Sequence, residues 1–128
     1  MYIGDYLGRR EIYSANRVAL IDAGKPGEAQ YTYAQLNERA NRLANFLRRE
    51  VHVGHGDRVG IFARDGIEHL DLFFALGKLG AVHTAFNWRL HPRELTALAA
   101  QTKPKALLYS GELSRVIAEI QAAGGAET

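Results

Sequence analysis

Apolar residues recur along this chain in two rhythms, every second position and every third or fourth, and the switches between them mark its elements. Ile3, Tyr6, Leu7 and Arg10 fall at helical spacing and predict a short helix within residues 1–14. "RVALIDA" reads as a strand, and beyond a turn at Gly24, Pro26 and Gly27 the segment "AQYT" returns beside it as a hairpin. Thr32 with Gln35 three residues on forms a capping box, flanked by Tyr31 and Leu36 as a hydrophobic staple. Leu36, Ala40, Leu43, Ala44 and Leu47 then line one face of a helix, opposite Glu38, Arg39, Arg42 and Arg49. A strand from Arg58 to Ala63 leads to an expected cap at Asp65 with Glu68 three later. The helix that follows, through Leu70, Leu72, Phe73, Phe74, Leu76 and Leu79 to Gly80, is apolar nearly all round and is expected to be buried on most sides.

"AVHTAF" is a further strand, and Pro92 opens a helix with Leu95, Leu98 and Ala99 inward. "KALLYS" is another strand, and Leu113, Val116, Ile117 and Ile120 mark a last helix closed by Gly124 and Gly125, with residues 124–128 expected to form a flexible tail. Strand and helix thus alternate repeatedly, predicting one α/β segment over residues 1–128: a mainly parallel sheet with βα crossovers and an early β-hairpin. Ligands of such sheets meet the loops at the C-terminal ends of the strands.

Composition narrows the field without choosing a function. The chain has 128 residues, 47% hydrophobic and 23% charged, enough for a self-supporting core. A net charge of +2, with basic residues scattered, gives no footprint for nucleic acid or an anionic membrane. There is no cysteine, so no disulfide framework or thiolate metal site exists in this sequence. Asp5, Arg9, Arg10 and Glu11 interrupt the N-terminus where a signal peptide needs an apolar run, and Asp71, Lys78 and His83 interrupt the greasiest stretch. A cytoplasmic location without a transmembrane segment is the expectation.

Most candidate chemistry resolves into turns and surface contacts. "GHGD" precedes a strand, whereas a phosphate loop follows one, so Asp57 is expected to be a turn residue. His52 and His55 lack a third donor nearby and read as solvated loop residues; His83, inside a strand, is expected to be hydrogen-bonded in the core. Glu68 and Asp71 suit capping and solvent contact better than paired acid/base work.

One connection is richer than a turn requires. "AFNWRLHPREL" holds an indole, two arginines, a histidine and an amide just before a helix. Two alternatives stand at this level. Arg89 and Arg93 could add to an anion site made by the helix N-terminus, or Trp88 could pack over the sheet while Arg93 pairs with Glu94 or Glu68.

The order "YTYAQL", "NRLANFLR", "GDRVGIFARDGIEHLDLFFALGKLGAV", "FNWRLHPREL", "KPKALLYS" resembles the beginning of the AMP-forming acyl-CoA synthetases, within the adenylate-forming, AMP-binding superfamily. The resemblance runs from about Ile12 to Ser110, and "FNWRL" is more similar to the acyl- and aryl-CoA ligases than to amino-acid-activating modules. Asp65 departs from the Asn of many relatives, which leaves the details of that turn open. The resemblance implies the first part of the N-terminal domain of a fatty-acid or related carboxylate ligase. Such an enzyme uses ATP and Mg2+ to form an acyl adenylate, then passes the acyl group to coenzyme A. It further implies that Arg89, with Asn87 as an orienting neighbour, lies near the nucleotide phosphates of coenzyme A.

Other superfamily motifs are absent from these residues: the Ser/Thr/Gly-rich phosphate loop, the ribose-binding Asp, and the C-terminal domain with its Lys. The resemblance therefore implies a segment inactive alone, binding no cofactor tightly, whose partners are the remainder of the parent enzyme and a carboxylic acid. Strand edges left open predict self-association. Two alternatives from other classes are a nonenzymatic nucleotide- or coenzyme A-binding module and a structural or assembly module.

Overall fold

A computed structural model describes residues 3–123. In order they form α1 (Tyr6–Ser14), β1 (Val18–Asp22), β2 (Ala29–Thr32), α2 (Tyr33–Glu50), β3 (Arg58–Phe62), α3 (Ile67–Leu79), β4 (Val82–Ala85), α4 (Pro92–Thr102), β5 (Ala106–Tyr109) and α5 (Ser114–Ala122), the last preceded by a 3-10 turn at Gly111–Leu113. The expected tail at 124–128, with Gly124 and Gly125, lies outside the described residues.

The hairpin forms as expected: β1 and β2 pair antiparallel, with a bulge between Val18 and Leu20. The main sheet is parallel, in the order β4-β3-β5. Its centre strand alternates side chains between two cores. Val59 and Ile61 join Leu47, Leu72 and Leu76 of α2 and α3 on one face; Phe62 joins Phe86, Leu95, Ile117 and Ile120 on the other. The crossover from β3 to β4 and the one from β4 back past β3 to β5 run in opposite directions across the sheet, so with the same hand they must lie on opposite faces, and α3 and α4 do so.

Thr32 caps α2 as the sequence predicts, its hydroxyl accepting from Gln35 N at 3.2 Å while Gln35 Oε1 accepts from Thr32 N at 2.8 Å. Gly80 closes α3 in the left-handed region at φ 67°. Two helical details differ from expectation. The cap of α3 is Gly66, not Asp65, and it carries no side-chain bond. The helix is also less enclosed than its composition suggests: Ile67, Leu72, Ala75 and Leu76 are buried, but Phe73 is half exposed.

A polar cluster ties α1 to the body. Lys78 on α3 donates to Asp5 Oδ1 at 2.7 Å and to Asn37 Oδ1 at 2.6 Å, while the Asn37 amide donates to Glu11. Asn37 is the one buried polar residue among those described, so these bonds are what make its burial tolerable. Beside the cluster Gly4 and Gly77 meet backbone to backbone: a Cβ on Gly77 would lie 2.6 Å from the Gly4 carbonyl oxygen.

Asp5 also caps α1 through Gly8 N at 3.0 Å. Burial raises its pKa, but the Lys78 and Gly8 hydrogen bonds outweigh that and hold it below the usual carboxylate range. A carboxyl so depressed contributes stability that is present above its unfolded pKa and lost as pH falls through the lower folded value. Lys78→Met is expected to raise the Asp5 pKa in an NMR titration and to lower stability in urea by about 1–3 kcal/mol. An unmoved Asp5 titration would show that the cluster does not hold α1.

Candidate functional site

The connection from β4 to α4 is built on a missing side chain. Gly60, in the middle of β3, would place a Cβ 2.5 Å from Phe86 Cε2 and 2.8 Å from Leu107 Cδ1. Without that atom the Phe86 ring lies directly on the strand, 6% exposed, and Phe86 N donates to Ile61 O at 2.9 Å. The ladder therefore runs one residue past β4, and the chain leaves the sheet at Asn87.

Asn87 makes the turn. Its side-chain oxygen accepts from Arg89 N at 3.0 Å and its carbonyl accepts from Leu90 N at 3.1 Å, an Asx turn that throws the Arg89 side chain outward. Trp88 packs partly buried against the Phe62, Phe86 and Leu95 core. Arg89 is exposed, with its guanidinium carbon 5.0 Å from the Trp88 ring centroid, and among the described residues it has no carboxylate within ion-pair distance.

The helix N-terminus behind the loop is not the open anion cradle considered from the sequence. His91 Nδ1 accepts from Arg93 N at 3.2 Å and Glu94 Oε2 accepts from His91 N at 2.9 Å. Pro92, as expected, occupies the first helical position. These contacts also remove the alternative in which Arg93 pairs with Glu94 or Glu68: Glu94 is committed to the cap, and Arg93 makes no ion pair among the described residues.

A hollow of about 620 Å³ opens where β3 and β5 end, lined by Ile61, Ala63, Arg64, Glu68, Leu108 and Ser110 among others. Those strands are neighbours whose helices leave to opposite faces, the switch point at which open α/β sheets take ligands. Its floor is apolar, and Ser110 Oγ is buried there without a hydrogen-bond partner among the described residues. Arg64 at its rim reaches the loop, 4.6 Å from the Trp88 ring centroid. No local pattern announces this contact, because Arg64 and Trp88 belong to separate crossovers.

The remaining candidates fall away from the loop. Asp71 pairs with Arg39 of α2 through Nε at 3.0 Å and Nη2 at 2.6 Å, a helix-to-helix clamp and not the solvent contact expected. Asp57 does close its turn, accepting from Gly54 N at 2.8 Å, and meets Lys105 at 3.0 Å. His52 and His55 are exposed. His83 departs from expectation: its Nε2 is buried without a partner among the described residues, its ring meets Phe73 edge-on, and burial, with His69 nearby, pushes its pKa down. The loop can therefore bind and orient an anion, but it brings together no nucleophile and base.

The sequence pattern of the family described as AMP-binding enzyme matches residues 10–127. The chain belongs to that family. It is 38% identical over 104 residues to a 3-oxocholest-4-en-26-oate-CoA ligase of Rhodococcus rhodochrous, covering 81% of this chain and 18% of that one. A long-chain-fatty-acid-CoA ligase of Mycobacterium tuberculosis is 32% identical over 120 residues, 94% of this chain and 23% of the relative. Among solved structures, a Mycobacterium tuberculosis fatty acyl CoA synthetase superposes with a TM-score of 0.86 at 31% identity, covering 94% of this chain and 24% of that one. A benzoate CoA ligase of Burkholderia xenovorans gives 0.84 at 25% identity, over 98% of this chain and 24% of that one. The chain thus spans about a fifth of the length of the curated relatives it matches. Its fold is that of the N-terminal region of these ligases, with the parallel sheet as expected.

Because Gly60 sets the position of Phe86, and Phe86 that of the loop, Gly60→Ala is expected to destabilise by about 1–3 kcal/mol and to red-shift the emission of Trp88, the only tryptophan in the sequence. Unchanged stability and emission would mean that the ring does not depend on the bare strand.

Proposed function

We propose that this chain is the N-terminal part of an AMP-forming acyl-CoA ligase that activates a carboxylic acid, of the fatty-acid type, and transfers it to coenzyme A. The whole enzyme first joins the carboxylate to AMP, releasing pyrophosphate, and the coenzyme A thiol then displaces AMP. The contribution of this chain is to the second step. Arg89, set by the Asn87 turn and backed by Trp88, offers an unneutralised guanidinium to a phosphate of coenzyme A.

The observation that carries this is the exposed Arg89 with no carboxylate partner among the described residues, held over Trp88 beyond the C-terminal end of β4. The described residues do not fit Mg2+ or the triphosphate: no three His, Asp or Glu converge, and no glycine-rich loop follows a strand. Those groups are assigned to the remainder of the enzyme. No described helix is long and apolar enough to cross a membrane.

In the full-length ligase, Arg89→Ala is expected to raise the KM for coenzyme A about tenfold while ATP/pyrophosphate exchange is retained. Collapse of exchange would remove the assignment. The 128-residue chain alone is expected to catalyse no exchange and, with one edge of β5 unpaired, to run above monomer mass in light scattering. Exchange by the bare chain, or a monomer at high concentration, would contradict these two expectations respectively.

A further inference from the structure

Two guanidiniums converge on Trp88. Arg64, leaving the C-terminal end of β3, lies 4.6 Å from the ring centroid and Arg89, leaving β4, lies 5.0 Å from it. Like charges drawn to one ring repel, and an exposed cation-π contact returns only about 0.5–1 kcal/mol. Such a pair calls for an anion.

The chain itself supplies little of one. The Glu112 carboxylate comes no nearer to Arg64 than 3.3 Å, at Nε, with the two side chains 61% and 52% exposed. The contact does not reach hydrogen-bond geometry, and Arg64 makes no side-chain hydrogen bond among the described residues. Arg39 shows what a committed arginine looks like in this fold: Nε and Nη2 both engage Asp71, which is largely buried. Arg64 has the opposite character, exposed, with a ring to lie on and no hydrogen-bond acceptor of its own among the described residues.

We infer that Arg64 is a second phosphate-binding residue, forming with Arg89 a two-arginine clamp on Trp88 for the terminal phosphomonoester of coenzyme A. A phosphomonoester carries close to two negative charges and three acceptor oxygens, which suits two guanidiniums better than a singly charged diester does. Glu112 then serves as a resting counter-charge, exposed enough to release Arg64 when the stronger anion arrives. The clamp rests on the role proposed above for Arg89.

The test measures the KM for coenzyme A, the KM for dephospho-coenzyme A, which lacks the phosphomonoester, and ATP/pyrophosphate exchange in the full-length ligase. Arg64→Ala is expected to raise the KM for coenzyme A about tenfold, leave that for dephospho-coenzyme A unchanged, and retain exchange. Glu112→Gln, which removes the competitor and keeps the shape, is expected to leave the KM for coenzyme A the same or lower it.

An Arg64→Ala enzyme with normal KM beside an impaired Arg89→Ala enzyme overturns the clamp and leaves the Arg89 role standing. Normal KM in both overturns the two together. An equal penalty with dephospho-coenzyme A, a loss of exchange, or a Glu112→Gln enzyme as impaired as Arg64→Ala each overturns the clamp too, by pointing to another phosphate, to folding, or to the ion pair itself.

Discussion

The contact between a phenylalanine ring and a bare stretch of backbone sets the rest of this architecture. Gly60 occupies the centre of the central strand, and the Phe86 ring fills the space its side chain would take. That one contact seals the core shared by α4 and α5, carries the β4 ladder one residue further, and decides where the chain leaves the sheet. Everything chemical in the loop follows from that exit point, because Asn87 then begins its turn just past the sheet and not within the strand.

The charges sort into two kinds. Lys78, Arg39 and Lys105 are committed to Asp5, Asp71 and Asp57, and these pairs join elements distant in sequence: α1 to α3, α2 to α3, and a turn before β3 to the start of β5. They hold the fold, most firmly where the partners are least exposed. Arg89 and Arg64 are different in placement, on an indole beyond the C-terminal ends of parallel strands, with one loose carboxylate beside Arg64. Under the function proposed, these two are the cations held for a ligand.

Local chemistry was readable from the sequence where it acts over a few residues. The Thr32 and Gln35 box, the Gly80 stop, the Pro92 start and the hairpin all follow from short-range signals and occur as expected. What the sequence hid depends on distant elements meeting. Asn37 carries no signal in the helix pattern, and only Lys78 and Glu11 closing on it explain its burial; Asp71 reads as solvated, yet Arg39 reaches across to it; His91 is one of the residues that make its loop richer than a turn requires, and its ring caps α4. Arg64 is the sharpest case, because nothing in "FARDG" announces an indole two elements away. The cap of α3 failed for a local reason instead, since Gly66 takes that position one residue after the better capping side chain.

The central claim is that the Asn87 turn presents Arg89 to coenzyme A. A crystal structure of the full-length ligase with coenzyme A bound tests it most directly. The account predicts a coenzyme A phosphate oxygen within hydrogen-bond distance of the Arg89 guanidinium, with Trp88 still beneath it. A coenzyme A bound elsewhere, with Arg89 paired instead to a carboxylate from the rest of the enzyme, would contradict it.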